Sequence, residues 1–555
     1  MANNTISQTL KAPSLVANTR YTGASSGIQY VSNAGGTADI QFVDIPGALQ
    51  AGWTYASATS ETVGSKLRRF ALQAQQNGNP MTNTPWQTEA AWVTATAYQQ
   101  NHIVSNAGNL YNCLATIATS GTAPTGTGTT PITDGSGSWT YIGPVINSSA
   151  QAGAPVVTVT SNTAFGFGVE TTLYNKNWGV SYPVSGQLAT FTGGLWFNYA
   201  AANLGVSFYG VSGPTAGATQ TQPNNGAGWP IQPNFQTGYS LPAITQKLVF
   251  YTDSVKFGVG ISSGGGNGSM RILVDDKYVT YGNYVAANVP GNAIVRATVD
   301  FTATYPTRQP KLRKVVIEIQ GYTSFFYSLN FNQQDSVFPL ARNQFIRAVW
   351  FTDSFGGPTG LGGDFTNMVG KYLGWEDNWS WGQAGAGVIA PNTINAGTVP
   401  YIYRYQDVAT CPDPDVIVIQ GSVNDGSWGA GNGYTSVQTT TLALLQNIRQ
   451  LRGNVPIFFI GVNNSPSNQS RYPLTDAAYQ AAIAQFNDPQ TFYFSITNDT
   501  TGPWVTGTGY ALAQTGVGNN DIYNYDATHY VSPVGYRYYS QRIADKIRQA
   551  IQLIP

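Results

Sequence analysis

The chain has 555 residues, of which 26 Lys+Arg and 26 Asp+Glu make 9% charged side chains and no net charge, against roughly 25% in an ordinary soluble domain. A neutral surface argues against electrostatic capture of nucleic acid or an anionic membrane, and no window approaches the ~18 uninterrupted apolar residues of a spanning helix. With 42% hydrophobic and 13% aromatic residues the chain is also too apolar for a segment unable to bury a core.

Gly (62), Pro (30) and Tyr (33) are abundant, a mixture that suits short strands joined by tight turns. At about 100 to 200 residues per domain the length implies three or four units. Residues 1–20 show no positive n-region followed by an apolar h-region, so no Sec-type signal peptide is expected. Cys113 and Cys411 lie far apart, and His102 and His529 are the only histidines. A Cys/His zinc site of ordinary spacing is thereby excluded, and the thiols are expected as small buried hydrophobes rather than a disulfide.

Residues 1–85 read as a turn-rich β region, alternating in Gly27-Ile28-Gln29-Tyr30-Val31 and again from Ala38 to Val43. Gly23-Ala24-Ser25-Ser26-Gly27 matches G-x-S-x-G, but no buried strand precedes it and no helix follows, so it reads as structural. Residues 86–150 form a small aromatic unit, with Trp92, Tyr98, Tyr111, Trp139 and Tyr141 around a hairpin at His102–Tyr111. Glu89 and Asp134 are the only charges from 70 to 150, and the Ser/Thr/Gly loop from Thr119 to Ser138 is expected to be mobile or displayed at the surface. Its rings either stack on sugars or make the core of the unit, and His102 reads as structural.

Residues 151–340 read as a β-sandwich of jelly-roll type. Val255, Phe257, Val259 and Ile261 alternate on one face, as do Val315, Ile317 and Ile319, and a hairpin turns at Asp275-Asp276. From 341 to 555 helical periods alternate with buried strands. Strands are predicted at 347–351, 415–420, 455–460 and 491–496. Helices are predicted through Leu442, Leu445, Ile448 and Leu451, around Ala477–Phe486, and through Ile543, Ile547 and Ile551. Such alternation implies a parallel sheet covered by helices, with functional residues at the carboxyl ends of its strands.

Three motifs fall where that fold places its chemistry. Thr352-Asp353-Ser354-Phe355-Gly356 follows the first strand, Gly421-Ser422-Val423-Asn424-Asp425 follows the second, and Asp526-Ala527-Thr528-His529 precedes the last helix. A nucleophile, a base and an acid are the elements of acyl transfer through a covalent intermediate. Asp521 competes with Asp526 as the acid, but an i, i+3 placement lets one short loop carry both partners.

In these blocks and their order the chain resembles the SGNH (GDSL) hydrolase superfamily over about 215 residues, 341–555. The resemblance implies a flavodoxin-like α/β hydrolase domain behind the β-rich units, with Ser354 as nucleophile, His529 as base and Asp526 orienting it. It implies an oxyanion hole made by the N–H of Ser354, the side-chain amide of Asn424 and the N–H of Gly385, with Gly382 as second choice in Trp381–Gly387. Neither metal nor other cofactor is implied. Thr352, where the family usually has Gly, and Phe355, where Leu is common, are expected to alter the pocket wall. The aromatic spacing in 86–150 resembles small chitin-binding-type modules, and the order of units resembles phage tailspikes and tail fibres. Together these imply an O-acetyl esterase acting on an acetylated bacterial surface polysaccharide, carried with other virion tail proteins on a phage tail as a homotrimer, without nucleic acid or membrane insertion. A non-catalytic glycan adhesin and an SGNH lipase or thioesterase remain open alternatives.

Overall fold

The computed structural model describes most of residues 80–173 and 245–555, together with short strands at 9–11, 20–22, 29–31, 37–39, 54–55, 190–192, 195–198 and 206–209. In the N-terminal region Thr9–Lys11 pairs antiparallel with Thr37–Asp39 and with Thr54–Tyr55, and Arg20–Thr22 pairs with Gln29–Val31. The Gly23–Gly27 motif lies outside the described residues.

The aromatic unit is a four-stranded antiparallel sheet. Strands Ile103–Asn106 and Asn109–Ala115 pair through a two-residue turn at Ala107 and Gly108, with φ of 48° and 78°, the positive values such a hairpin needs to match the strand twist. Tyr98, Tyr111 and Trp139 are 6%, 0% and 0% exposed and pack with Val104, Cys113 and Ile117. These rings are therefore core, and Trp92 and Tyr141 sit half-buried at its margin. The Thr119–Ser138 loop is at the surface but tied down at several points. The buried Asp134 carboxylate accepts the N–H groups of Gly121 (2.7 Å) and Thr122 (2.9 Å) and the indole N–H of Trp139 (3.0 Å). Asn106 and Tyr111 donate to the carbonyls of Pro124 and Gly126. One carboxylate thus satisfies three donors that a loop poor in regular pairing would otherwise leave open.

Two seven-stranded sheets follow, antiparallel in every pairing. Phe257, Val259 and Ile261 from one sheet and Leu248, Phe250, Ile272, Val315, Ile317 and Ile319 from the other share a single buried core. That is the period-two burial of a sandwich. Its hairpin turns at Asp275 and Asp276, both at positive φ.

The C-terminal unit is a five-stranded parallel sheet. We label its strands β1 (Arg347–Thr352), β2 (Asp377–Gly382), β3 (Val416–Gln420), β4 (Ile457–Ile460) and β5 (Thr491–Phe494), in spatial order 2-1-3-4-5. Its longer helices are α1 (Phe365–Leu373), α2 (Val423–Asn432), α3 (Tyr434–Leu451), α4 (Tyr472–Phe486) and α5 (Val534–Ile551). Every residue of β1, β3 and β4 is buried, which is why they read as continuous apolar runs. The sequence reading has no counterpart to edge strand β2, because its Asp377 and Asn378 look like loop residues. They are matched internally: Arg347 and the Trp379 indole donate to Asp377 (2.6 and 2.8 Å), and the Trp350 indole donates to Asn378 (3.1 Å). On α3 the buried stripe is Val437, Thr441, Leu444, Leu445 and Ile448, whereas Leu451 is 39% exposed at the helix end. On α5 Ile543, Ile547 and Ile551 are all buried.

Scarce charges are spent in pairs where the sandwich meets this unit. Glu318, wholly buried, lies 2.5 Å from Lys371 Nζ on α1 and 3.1 Å from Arg271 Nη2. Burial pushes its carboxyl up, but Lys371 and Arg271 outweigh that and hold it at about 2. Lys247 Nζ donates to the Glu376 carbonyl at 2.9 Å. Desolvated ions of this kind persist only when matched. Cys113 and Cys411 are both buried thiols, neither in a disulfide. Among the described residues no helix is long and apolar enough to cross a membrane.

Candidate active site

In a 2-1-3 strand order the chain leaves β1 and β3 in opposite directions, which opens a crevice at their carboxyl ends. Both motif-bearing turns lie there. Ser354 opens the short 3-10 turn Ser354–Gly356 directly after β1, and Asp353 Oδ1 accepts the Phe355 N–H at 3.0 Å to cap that turn. Across the crevice Ser422 caps α2 by accepting the Asn424 N–H at 3.1 Å. The Ser422 hydroxyl lies 2.7 Å from Asp353 Oδ2 and 2.9 Å from the Ala386 carbonyl. Asp353 therefore ties the first motif to the second.

His529 arrives from the loop before α5. Its Nε2 is 3.0 Å from Ser354 Oγ, and its Nδ1 is 3.0 Å from Asp526 Oδ2. The loop is shaped by the same acid, since Asp526 Oδ1 accepts the N–H groups of Thr528 (2.7 Å) and His529 (2.6 Å). A bridge between Asn524 and Tyr530 and a bond from the Tyr525 N–H to the His529 carbonyl close its base. Asp521 is occupied elsewhere, accepting the N–H groups of Thr515 and Gly516 (3.1 and 2.7 Å). Phe355 packs on the imidazole, ring centroids 5.5 Å apart, and on Tyr530 at 4.7 Å.

The electrostatics fit a resting Ser–His–Asp relay. Burial acts to lower His529, but the hydrogen bond and charge of Asp526, with the charge of Asp353, raise it above its ordinary value. Burial acts to raise Asp526, but hydrogen bonds from the His529 ring and N–H and from Thr528 bring it to about 2. Asp353, fully buried, is pushed up by burial to about 6 against bonds from Phe355 and Ser422. His102 lies in the aromatic unit, edge-on to Tyr98 at 5.9 Å, and burial there pushes it down to about 4.

Asn424 faces the same crevice from the start of α2, half-exposed, with its amide nitrogen 3.0 Å from both the Ala386 carbonyl and Ser422 Oγ. Gly385, also half-exposed, has φ of 81°. Gly382 is buried at the end of β2, where a Cβ would press on Thr352 Oγ1 at 2.8 Å. Thr352 and Phe355 are themselves fully buried, so neither forms the pocket wall expected of them. Thr352 fills the space left by Gly356 and Gly382, and Phe355 backs the imidazole.

Three residues within the motifs carry structural weight that their sequence context did not show. Asp353 and Ser422 form the clamp described above. Asp425 turns away from the crevice: its carboxylate accepts the N–H groups of Val388 (2.7 Å), Ile389 (3.1 Å) and Ala390 (2.9 Å) and the Tyr479 hydroxyl (2.5 Å). Gly387 leaves the space that carboxylate occupies, and a Cβ there would collide with it. Gly387→Ala is thus expected to lower stability by about 2–4 kcal/mol, as displacing a buried, multiply bonded carboxylate does, read as a lower midpoint in thermal unfolding. The signal available beforehand was a small-residue run facing an acid, which only the third dimension brings together.

No protein-family model and no curated protein matches the chain. Solved structures do. A GDSL-like lipase from Bacteroides ovatus aligns with 55% of this chain over 85% of its own, at 11% identity and a TM-score of 0.38. A family 2 carbohydrate esterase with its carbohydrate-binding domain, from Corynascus thermopiles (Myceliophthora fergusii), aligns with 56% over 96% of its own, at 14% identity and a TM-score of 0.38. An acetyl xylan esterase from the rumen bacterium Butyrivibrio proteoclasticus aligns with 56% over 91% of its own, at 10% identity and a TM-score of 0.37.

Proposed function

We propose that the chain is a serine esterase of the SGNH type that removes O-acetyl groups from a polysaccharide. The observation that carries the reading is the unbroken line from Ser354 Oγ to His529 Nε2 (3.0 Å) and from Nδ1 to Asp526 (3.0 Å). Ser354 attacks the ester carbonyl while His529 takes its proton, giving a tetrahedral oxyanion. The N–H groups of Ser354 and Gly385 and the amide of Asn424 receive that charge, Asn424 by exchanging one hydrogen from Ala386 or Ser422. His529 then protonates the departing sugar hydroxyl, and water releases acetate by the same path in reverse.

The substrate class rests on the near absence of charge from 70 to 150, since a hydroxyl-rich surface meets neutral sugars without desolvating ions. A bacterial surface polysaccharide is the proposed target, a phage tail beside other tail proteins the proposed setting and a homotrimer the proposed assembly, which the mass in solution tests. For the activity, the test is acetate release from an O-acetylated capsule or lipopolysaccharide and from an aryl acetate. Release from both is expected, and no hydrolysis of either overturns the reading. A lipid-directed second reading has one observation in its favour: the segment before the catalytic loop exposes Leu512, Val517 and Ile522 (51%, 65% and 42%). Aryl esters of increasing acyl length separate the two, for an acetyl esterase falls off sharply beyond acetyl and a lipase rises.

A further inference from the structure

Strand Asn109–Ala115 of the aromatic unit is buried on both sides. Tyr111 and Cys113 point into the unit's own core. On the other face Leu110, Asn112 and Leu114 are 4%, 1% and 4% exposed, which a freely tethered sugar-binding module would not require. Leu110 joins the large apolar cluster formed mostly by the α/β unit. Leu114 and Ala511 form a small buried cluster against which Tyr525 and Val534 pack. Tyr525 immediately precedes Asp526, and Val534 begins α5 shortly after His529. Ala511 is bound to the same place, its N–H donating to the Asn524 carbonyl at 2.8 Å. The two ends of the loop that carries Asp526 and His529 therefore converge on a small cluster whose leucine comes from some 400 residues upstream.

We propose that the aromatic unit is a brace for the catalytic loop, with Leu114 a positioning residue that holds Asp526 and His529 in register with Ser354. The proposal rests on the esterase reading for its kinetic consequence only. Among the described residues the regular pairing of this loop is the Asn524–Tyr530 bridge, and the cluster on which half-buried Tyr525 and Val534 pack would lose its larger buried side chain without Leu114. Small displacements matter here, because a base misplaced by an ångström loses much of its rate advantage.

The test uses the full chain with Leu114→Ala and the milder Leu114→Val. The only two histidines report separately in a proton NMR titration, which needs no catalytic activity. His102, held low at about 4 by burial, reports whether the aromatic unit stays folded. The charged groups facing His529 are Asp526 on its own loop and Asp353 at the end of β1. In Leu114→Ala the His529 midpoint is expected to fall by about half a pH unit as its pairing with Asp526 loosens, and by less in Leu114→Val. His102 should stay low, while kcat on an aryl acetate drops about tenfold and KM holds within about twofold. The proposal is overturned if His529 and kcat are unchanged in both variants, or if His529 moves only where His102 has risen to an ordinary value, because the whole unit rather than the contact is then being read. A wild type inactive on every ester, whose His529 still responds to Leu114, sinks the esterase reading and leaves the brace standing.

Discussion

Ser354→Ala is expected to lower kcat on an aryl acetate by about 10⁴–10⁶-fold, the range seen when a triad nucleophile is removed. The Ser354 hydroxyl is the group that His529 Nε2 meets, at 3.0 Å, so its removal takes the proposed nucleophile from the base. Oxyanion donors and the binding surface survive, and the residual rate should come from them. KM should change little, and the thermal midpoint should stay close to that of the wild type because Ser354 is half-exposed. Its neighbour Asp353 performs the capping. Activity in the variant equal to the wild type would remove Ser354 from the mechanism and leave the crevice without an assigned nucleophile.

Asp526→Asn is the second large effect, with kcat expected to fall about 10³–10⁴-fold. An amide keeps the shape of the loop but offers the imidazole no charge and permits the wrong tautomer. The pH profile carries the sharper sign. His529 must be neutral to act as base, so the wild-type rate declines as pH falls through a midpoint raised above the ordinary histidine value by Asp526 and Asp353. Without the Asp526 charge, burial is opposed by Asp353 alone, and the midpoint should move to lower pH. His102 shows how far burial can act, bringing an imidazole to about 4. A variant profile with its acidic limb unmoved would mean that Asp526 does not set the state of His529. Asp353, at about 6, titrates within the same limb; its protonation removes a charge that raises His529, so the wild-type limb is expected to be shallower than a single ionisation.

How much of this was legible beforehand depended on where each partner lay. Asp526 and His529 are three residues apart, and the acid folds its own loop through Thr528 and His529, so that pair is a local property. Strands β1, β3 and β4 were legible because burial on both faces demands unbroken apolar runs. Strand β2 was hidden because its polar residues are satisfied by Arg347 and Trp350, which lie about 30 positions earlier. Asp425 stands next to Asn424 in the second motif, and nothing local shows what it holds. Its role as the anchor of 388–390 depends on Gly387 leaving room for it.

By itself the sequence determined which groups the proposed chemistry can draw on, Ser354, Asp526 and one of only two histidines, and the alternation that builds a parallel sheet to carry them. Only the tertiary structure decided how they are held. The clamp from Asp353 to Ser422, the buried Glu318–Lys371 pair and the cluster that gathers Leu114, Ala511, Tyr525 and Val534 each join residues tens to hundreds of positions apart. Periodicity reports which face of an element is apolar, because that depends on neighbours along the chain. Which partner covers that face, and which buried polar group meets which, is decided by packing between elements, and no local pattern encodes it.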